Sequence, residues 1–241
     1  MLELISSPPD SNLLYIGHYD PVLVGLSIAI AVFGAYTALL VAEHLSLSDR
    51  LPTYRRLWTL AGGFAMASGI WAMHFVGMLA FNLPCRTAYD PWLTLLSMLP
   101  ALLACTLALA LVSQRRLSHR RLILGGVLIG AGIGAMHYTG MAAMRLDGLI
   151  RYDLTLFLVS IAVAVLLAIV ALWVKFEMQR LEWRRRGLIA AAVVMGLAVS
   201  GMHYTGMAAA YFIREGDISI PDSQITPTLL ATVVLAVTGA V

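Results

Sequence analysis

Apolar residues fall in seven blocks along the chain, separated by short polar stretches. The first six are about 20 residues or longer, the length that spans a hydrocarbon core. The pattern predicts helices over 22–43, 57–81, 92–112, 122–144, 154–174, 187–212 and 227–241. The seventh block has only about 15 residues, short for a span. It is either re-entrant or, as we favour, a seventh helix of a membrane domain, residues 1–241, severed from a longer protein inside or just after that helix. Residues 1–20 lack the basic start and apolar centre of a signal peptide.

The expected fold is therefore all-α, a polytopic bundle of seven transmembrane helices. Composition agrees: 60% of the 241 residues are hydrophobic and 12% charged, about half the charge of an ordinary soluble domain. Twelve Lys and Arg residues fall in the loops 44–56, 113–121 and 175–186. Only Arg86, Arg145, Arg151 and Arg214 fall on the other side. Basic loops face the cytoplasm, so the N-terminus is outside and the chain partners a lipid bilayer. The net charge of +3 lies in these short loops and implies no nucleic acid. Glu43 is expected at the inner interface, and His44 and His119 solvated on the inner side. Cys85 in an outer loop and Cys105 deep in a helix lie too far apart to bridge.

Within the blocks lies a repeat. "YDP" at 19–21 and 89–91 and "YDL" at 152–154 precede the first, third and fifth helices. Each Asp is placed to cap its helix, with Pro following in two cases. Thr226-Pro227 is placed to do the same for the last helix. The second, fourth and sixth helices align without gaps and end in "MHFVGM", "MHYTGM" and "MHYTGM". Three tandem helical hairpins plus a final helix follow, related by an axis along the membrane normal. His74, His137 and His203 then share one depth near the outer face and point at a common axis. The small residues Gly69, Gly132 and Ala198, and Gly77, Gly140 and Gly206, are expected to let helices pack closely.

Intramembrane histidines are functional candidates by default. On a helix, the Met four residues on lies about 40° from its His, which pairs His74 with Met78, His137 with Met141 and His203 with Met207. Met73, Met136 and Met202 lie to one side, Tyr138 and Tyr204 to the other. Imidazole with thioether is a soft donor set that suits copper, Cu(I) above all, better than magnesium, calcium or manganese. Tyr138 and Tyr204 are expected to hydrogen-bond the histidine rings rather than ligate, since the first copy has Phe75 there. His18, just before the first helix on the outer side, is a further candidate ligand.

These motifs, their place in alternate helices and the "HYDP" at 18–21 resemble the MHYT family of bacterial integral-membrane sensor domains. The resemblance covers essentially the whole chain. It implies copper bound through Met, His and Tyr, sensing of a diatomic gas (O2, CO or NO), and a place in the bacterial inner membrane. It also implies a cytoplasmic output in cis, commonly a diguanylate cyclase with a cyclic di-GMP phosphodiesterase, and hence a homodimer in the full protein. The metal itself is an alternative signal. The first copy departs from the motif, lacking both Tyr and Thr. Two other functions compete: a copper transporter, disfavoured because no carboxylate lies mid-membrane, and a haem protein, since His and Met both ligate haem iron. Nothing in the chain carries an enzyme's phosphate loop, nucleophile elbow or paired carboxylates.

Overall fold

The computed structural model describes residues 3–47, 52–112, 118–180, 184–214 and 224–239. Strand β1 (Leu4–Ile5), a 3-10 turn (Ser11–Leu13) and β2 (His18–Tyr19) lead into α1 (Pro21–Leu47) and α2 (Pro52–Ala80). Then come β3 (Phe81–Asn82), β4 (Thr87–Tyr89), α3 (Pro91–Leu96), α4 (Met98–Val112) and α5 (His119–Ala143). The chain continues through β5 (Met144–Leu146), β6 (Gly148–Asp153), α6 (Leu154–Arg180), α7 (Arg184–Ala208), β7 (Ala210–Arg214) and α8 (Pro227–Gly239). The helices α3 and α4 form one span, interrupted at Ser97 three residues before Pro100, whose ring removes an intrahelical donor. Six spans among the described residues are long and apolar enough to cross a membrane; α8, with 13 residues, is shorter.

The spans form a closed ring in the order α1, α2, α4, α5, α6, α7. α2, α5 and α7 also touch one another in the centre. Composition explains the two layers. The outer spans have mean hydropathies of 2.2, 2.4 and 3.0 and are only 28–33% buried by protein. Their lipid-facing sides are apolar, while their few polar groups, such as Ser27 and Ser160, are buried against protein. The inner spans have mean hydropathies of 1.4–1.6 and are 56–89% buried, because glycine, alanine and histidine replace bulky aliphatics. A Cβ on Gly34 would lie 2.8 Å from the Cα of Gly69, so α1 and α2 touch backbone to backbone, as small residues allow in lipid. Gly132 likewise admits Ala104. Gly126 and Gly130 of α5 receive Ile169 and Val165 of α6, and Gly196 of α7 receives Val32 of α1.

Each hairpin is closed at its outer end by a short ribbon: β2 with β3, β4 with β5, and β6 with β7, all antiparallel. β1 extends the last of these, parallel to β6. One backbone bond recurs in every repeat at 2.8 Å: Asp20 N–H to Ala80 O, Asp90 to Ala143 and Asp153 to Ala209. The same aspartates cap their helices through Oδ1, accepting from Leu23 (3.2 Å), Leu93 (3.0 Å) and Leu156 (2.8 Å). The Leu93 N–H bond and the nearby Arg145 hold the Asp90 carboxyl below the usual carboxylate range. Thr226 caps α8 as expected, accepting from Leu229 at 3.3 Å. The α8 helix packs against α2, and Ile225 before it exchanges backbone bonds with Tyr89 at 2.8 and 2.9 Å.

Several details differ from the sequence reading. The second and sixth spans end at Ala80 and Ala208 rather than at 81 and 212, because Phe81, Tyr211, Phe212 and Ile213, good strand formers, join ribbons instead. Glu43 does not end its helix: α1 continues to Leu47, and Glu43 is buried. Lys175 is buried in α6, its Nζ 5.2 Å from the centre of the Phe176 ring. His44 and His119 are exposed, as expected, and His44 Nε2 meets the Tyr54 hydroxyl at 3.0 Å. Among the counted basic residues, Arg50, Arg115 and Arg116 lie outside the described residues.

A second set of bonds links neighbouring repeats. The Tyr138 hydroxyl of α5 meets Ser160 of α6, and Tyr204 of α7 meets Ser27 of α1, both at 2.8 Å. Ser97 holds the matching position opposite Phe75, which has no hydroxyl; there Trp71 Nε1 donates to Thr94 O at 2.9 Å. Ser27, Ser97 and Ser160 each also donate to a carbonyl three residues back at 2.7 Å.

Two outcomes follow. Tyr204→Phe should cost about 0.5–1.5 kcal/mol, one net hydrogen bond, read as a lower melting temperature in detergent; Ser27 keeps its carbonyl partner. Both cysteines are free, with Cys105 buried and Cys85 half-buried. Burial and Asp147 push the Cys85 thiol up, and only the thiolate is nucleophilic. An impermeant maleimide should therefore label Cys85 from outside, faster at alkaline than at neutral pH, and leave Cys105 unmodified.

Candidate metal centre

The three motif histidines meet. His74 Nδ1 lies 3.1 Å from His203 Nδ1 and 3.1 Å from His137 Nδ1. Their ring centres are 4.9, 5.1 and 5.1 Å apart, with planes crossed at 87°, 81° and 88°. The imidazoles thus form a three-bladed propeller on the bundle axis, each nearly perpendicular to the others. All three are buried. The shared depth and the common axis expected from the repeat are both present.

The glycine three residues after each histidine makes this possible. A Cβ on Gly140 would overlap the Nε2 edge of His74; Gly206 stands so to His137, and Gly77 to His203. The cyclic sense is the same as in the tyrosine–serine pairs. These glycines therefore seat neighbouring imidazoles, beyond the helix packing expected of them. The Nε2 atoms are buried and have no hydrogen-bond partner. Leaving a buried polar atom unpaired costs about 1–3 kcal/mol, and here each of the three faces a glycine of a neighbouring helix instead of a hydrogen-bond partner.

Proton placement sharpens the point. Each Nδ1–Nδ1 contact of 3.1 Å needs one nitrogen to donate and one to accept. If all three rings carry their proton on Nε2, three lone pairs converge on one point; a cation there relieves their repulsion. The geometry fits a small ion: three nitrogens at 2.0–2.1 Å from a metal stand roughly 3.5 Å apart when trigonal, close to the observed 3.1 Å edges. All three ligand atoms lie within 4.8 Å of one another. A haem does not fit here, since a planar macrocycle cannot enter between nitrogens this close.

The structure distributes the other expected residues unevenly. Met73, Met78, Met136, Met141, Met202 and Met207 are all buried in the core formed by the three central helices. Tyr138 and Tyr204 stand edge-on to the adjacent His137 and His203 rings, each at 4.8 Å. Their hydroxyls go to serines of the next repeat, not to the histidine rings, because each phenol points outward between helices. His18 stands apart: exposed in β2, paired with Asn82, and outside the histidine cluster.

Above the triad sits an aromatic collar that sequence reasoning missed. Tyr19 packs edge-on to Tyr204 (5.5 Å), Tyr89 to Phe75 (6.0 Å) and Tyr152 to Tyr138 (5.4 Å). Partial burial, with Tyr204 nearby, pushes the Tyr19 phenol up to about 12, and fuller burial raises Tyr89 and Tyr152. The collar therefore stays uncharged at physiological pH. The signal for it was present, as the tyrosine of each "YD" pair and the serine eight residues later recur in all three repeats.

Comparison with known proteins agrees with this arrangement. The MHYT family, described as a bacterial signalling protein N terminal repeat, matches residues 68–125, 130–191 and 196–241. The chain is 44% identical over 232 residues to the bifunctional diguanylate cyclase/cyclic di-GMP phosphodiesterase MucR of Pseudomonas aeruginosa, covering 95% of this chain and 33% of that protein. It is 40% identical over 205 residues to the cyclic di-GMP phosphodiesterase NbdA of the same organism, covering 84% of the chain and 26% of NbdA. It is 34% identical over 201 residues to the signaling protein YkoW of Bacillus subtilis, covering 82% and 25%. The chain thus spans between a quarter and a third of the length of these relatives. No solved structure matches it. Three matched repeats, a bundle of membrane-spanning helices and the histidine triad at its axis make this chain a multi-pass bacterial inner-membrane member of the MHYT family of signalling-protein repeats.

Proposed function

We propose that the chain is the receptor domain of a cyclic di-GMP signalling protein, and that its receptor centre is one metal ion, copper by preference, held by His74, His137 and His203. The observation that carries this is the convergence of the Nδ1 atoms of three buried histidines on one axis, His74 Nδ1 standing 3.1 Å from each of the other two. Met78, Met141 and Met207, one turn outward, and Met73, Met136 and Met202 beside them are the candidates for completing the coordination. Their thioethers favour copper over harder ions. His18, exposed, is left out.

The signal in this reading is a diatomic gas, O2, CO or NO, or the metal itself. A bound ion would supply the affinity for such a gas that apolar side chains lack. The chain's own part is geometric. Gly77, Gly140 and Gly206 seat the rings, and the three central helices hold them. A ligand that favours one packing of these helices shifts the population toward it. The α8 helix rests on α2, which carries His74, and so follows any such shift. MucR and NbdA are by name enzymes of cyclic di-GMP, and the chain aligns with a minor part of each, which supports an output carried in cis outside this domain. Such an output makes a homodimer the expected form of the full protein. Transport is the weaker reading: the candidate ligands gather at one depth, with no relay across the span among the described residues.

Purified in detergent and loaded with Cu(I), the chain should retain about one copper, measured by plasma mass spectrometry. A His74→Ala/His137→Ala/His203→Ala variant should retain almost none. A folded parent protein that stays metal-free after loading overturns the proposal. Gly140→Ala, which intrudes on His74, should weaken copper binding by about tenfold or more, about 1.4 kcal/mol. Gly25→Ala, with open space around its Cβ position, should leave it unchanged.

A further inference from the structure

Two turns inward from the triad the bundle holds a cavity of about 30 Å³. Its walls come from all three repeats. Met66, Ile129 and Met195 of the central helices line it, with Cys105, Leu109 and Leu172 among the residues contributed by the outer ones. Met66, Ile129 and Met195 share one repeat position, eight residues before each histidine, or about 12 Å along a helix. Between them and the triad lies one more matched layer, Ile70, Ile133 and Val199, all buried. The cavity is thus on the same axis as the histidines and separated from them by a single apolar layer.

Its size and lining restrict what it can hold. About 30 Å³ is room for roughly two water-sized spheres. Water needs two to four polar partners to stay, and the only polar side-chain group in the wall is the weakly bonding Cys105 thiol. A charged or strongly polar molecule would lose its hydration without compensation. An apolar lining of this kind favours small apolar molecules over water. The outer spans face lipid, in which neutral diatomic gases dissolve better than in water, so the bilayer itself supplies such molecules at this depth.

We infer that this cavity is a binding site for one neutral, nearly apolar diatomic molecule of the dioxygen, carbon monoxide and nitric oxide class, separate from the histidine triad. The inference rests on the proposed function only for the class of occupant, since no metal is involved in the cavity.

Dioxygen is paramagnetic and speeds relaxation of nuclei close to it, which gives a direct test. The full chain, labelled with 13C-methyl methionine in detergent, is compared under dioxygen and under nitrogen. Met66 and Met195 line the cavity, whereas Met73, Met136 and Met202 are as deeply buried but do not. The relaxation enhancement at Met66 and Met195 should exceed that at the three controls by about threefold or more if the apolar cavity concentrates the gas. Ile129→Phe, which fills the cavity, should abolish the difference; should that variant fail to fold, Ala42→Val, another lining position, reduces it. Equal enhancement at all five methionines in the parent chain overturns the inference. The same experiment on the His74→Ala/His137→Ala/His203→Ala variant separates the two ideas. Selective enhancement there sustains the cavity even if the triad binds no metal. Its absence in a chain that does bind copper removes the cavity and leaves the metal centre standing.

Discussion

Three imidazoles can share one point on an axis only if the helices that carry them approach to within about one ring's width. Everything else in this bundle serves that approach. Helices with leucine or valine at their contacts pack 8–10 Å apart, with no room for a central cluster that is both close and buried. Here Gly77, Gly140 and Gly206 each give up a side chain so that a neighbour's imidazole occupies the space. Small residues lower down let α2, α5 and α7 pack tightly against the outer helices on both flanks. The cost is a centre poor in aliphatic contacts. The lipid-facing α1, α4 and α6 offset it with long apolar faces toward the membrane.

The outer end is where position is set. A helix can slide along or turn about its own axis, and either motion would pull the nitrogens apart. The bond from each aspartate N–H to the end of the partner helix stops sliding within a hairpin. The tyrosine–serine pairs and the aromatic collar stop rotation between hairpins. These contacts touch no ligand atom, yet they hold the groups that do, as outer-shell partners do around metal sites generally.

Much of this is legible in the sequence alone. Hydrophobic blocks located the spans to within a few residues at most ends, because a bilayer demands long apolar helices. The gapless alignment of the motif helices implied the shared axis, since copies of one hairpin in one orientation must arrange themselves around one. What escaped notice was short or relational. The ribbons involve two to six residues apiece, too few for alternation to register against a helical background. The seating role of Gly140 depends on His74, 66 residues earlier, and no local pattern reveals it. The phenols of Tyr138 and Tyr204 were assigned to the nearest polar ring in sequence, whereas their bonding reaches the next hairpin. Glu43 was read as interfacial from its place at the end of an apolar block, but α1 carries it one further turn inside protein.

The one departure from the motif gains meaning from its location. Two of the three joints between hairpins close with a phenol on a serine. The third has Phe75 opposite Ser97, and there the facing span is broken between α3 and α4. The α8 helix lies against α2, the helix that carries Phe75, and is pinned to Tyr89, which packs edge-on against that same ring. An assembly with three equivalent joints has no direction; a disturbance at its centre spreads alike to all sides. Making one joint different gives the bundle a heading. Among the described residues, the last helix packs chiefly on the elements of that joint.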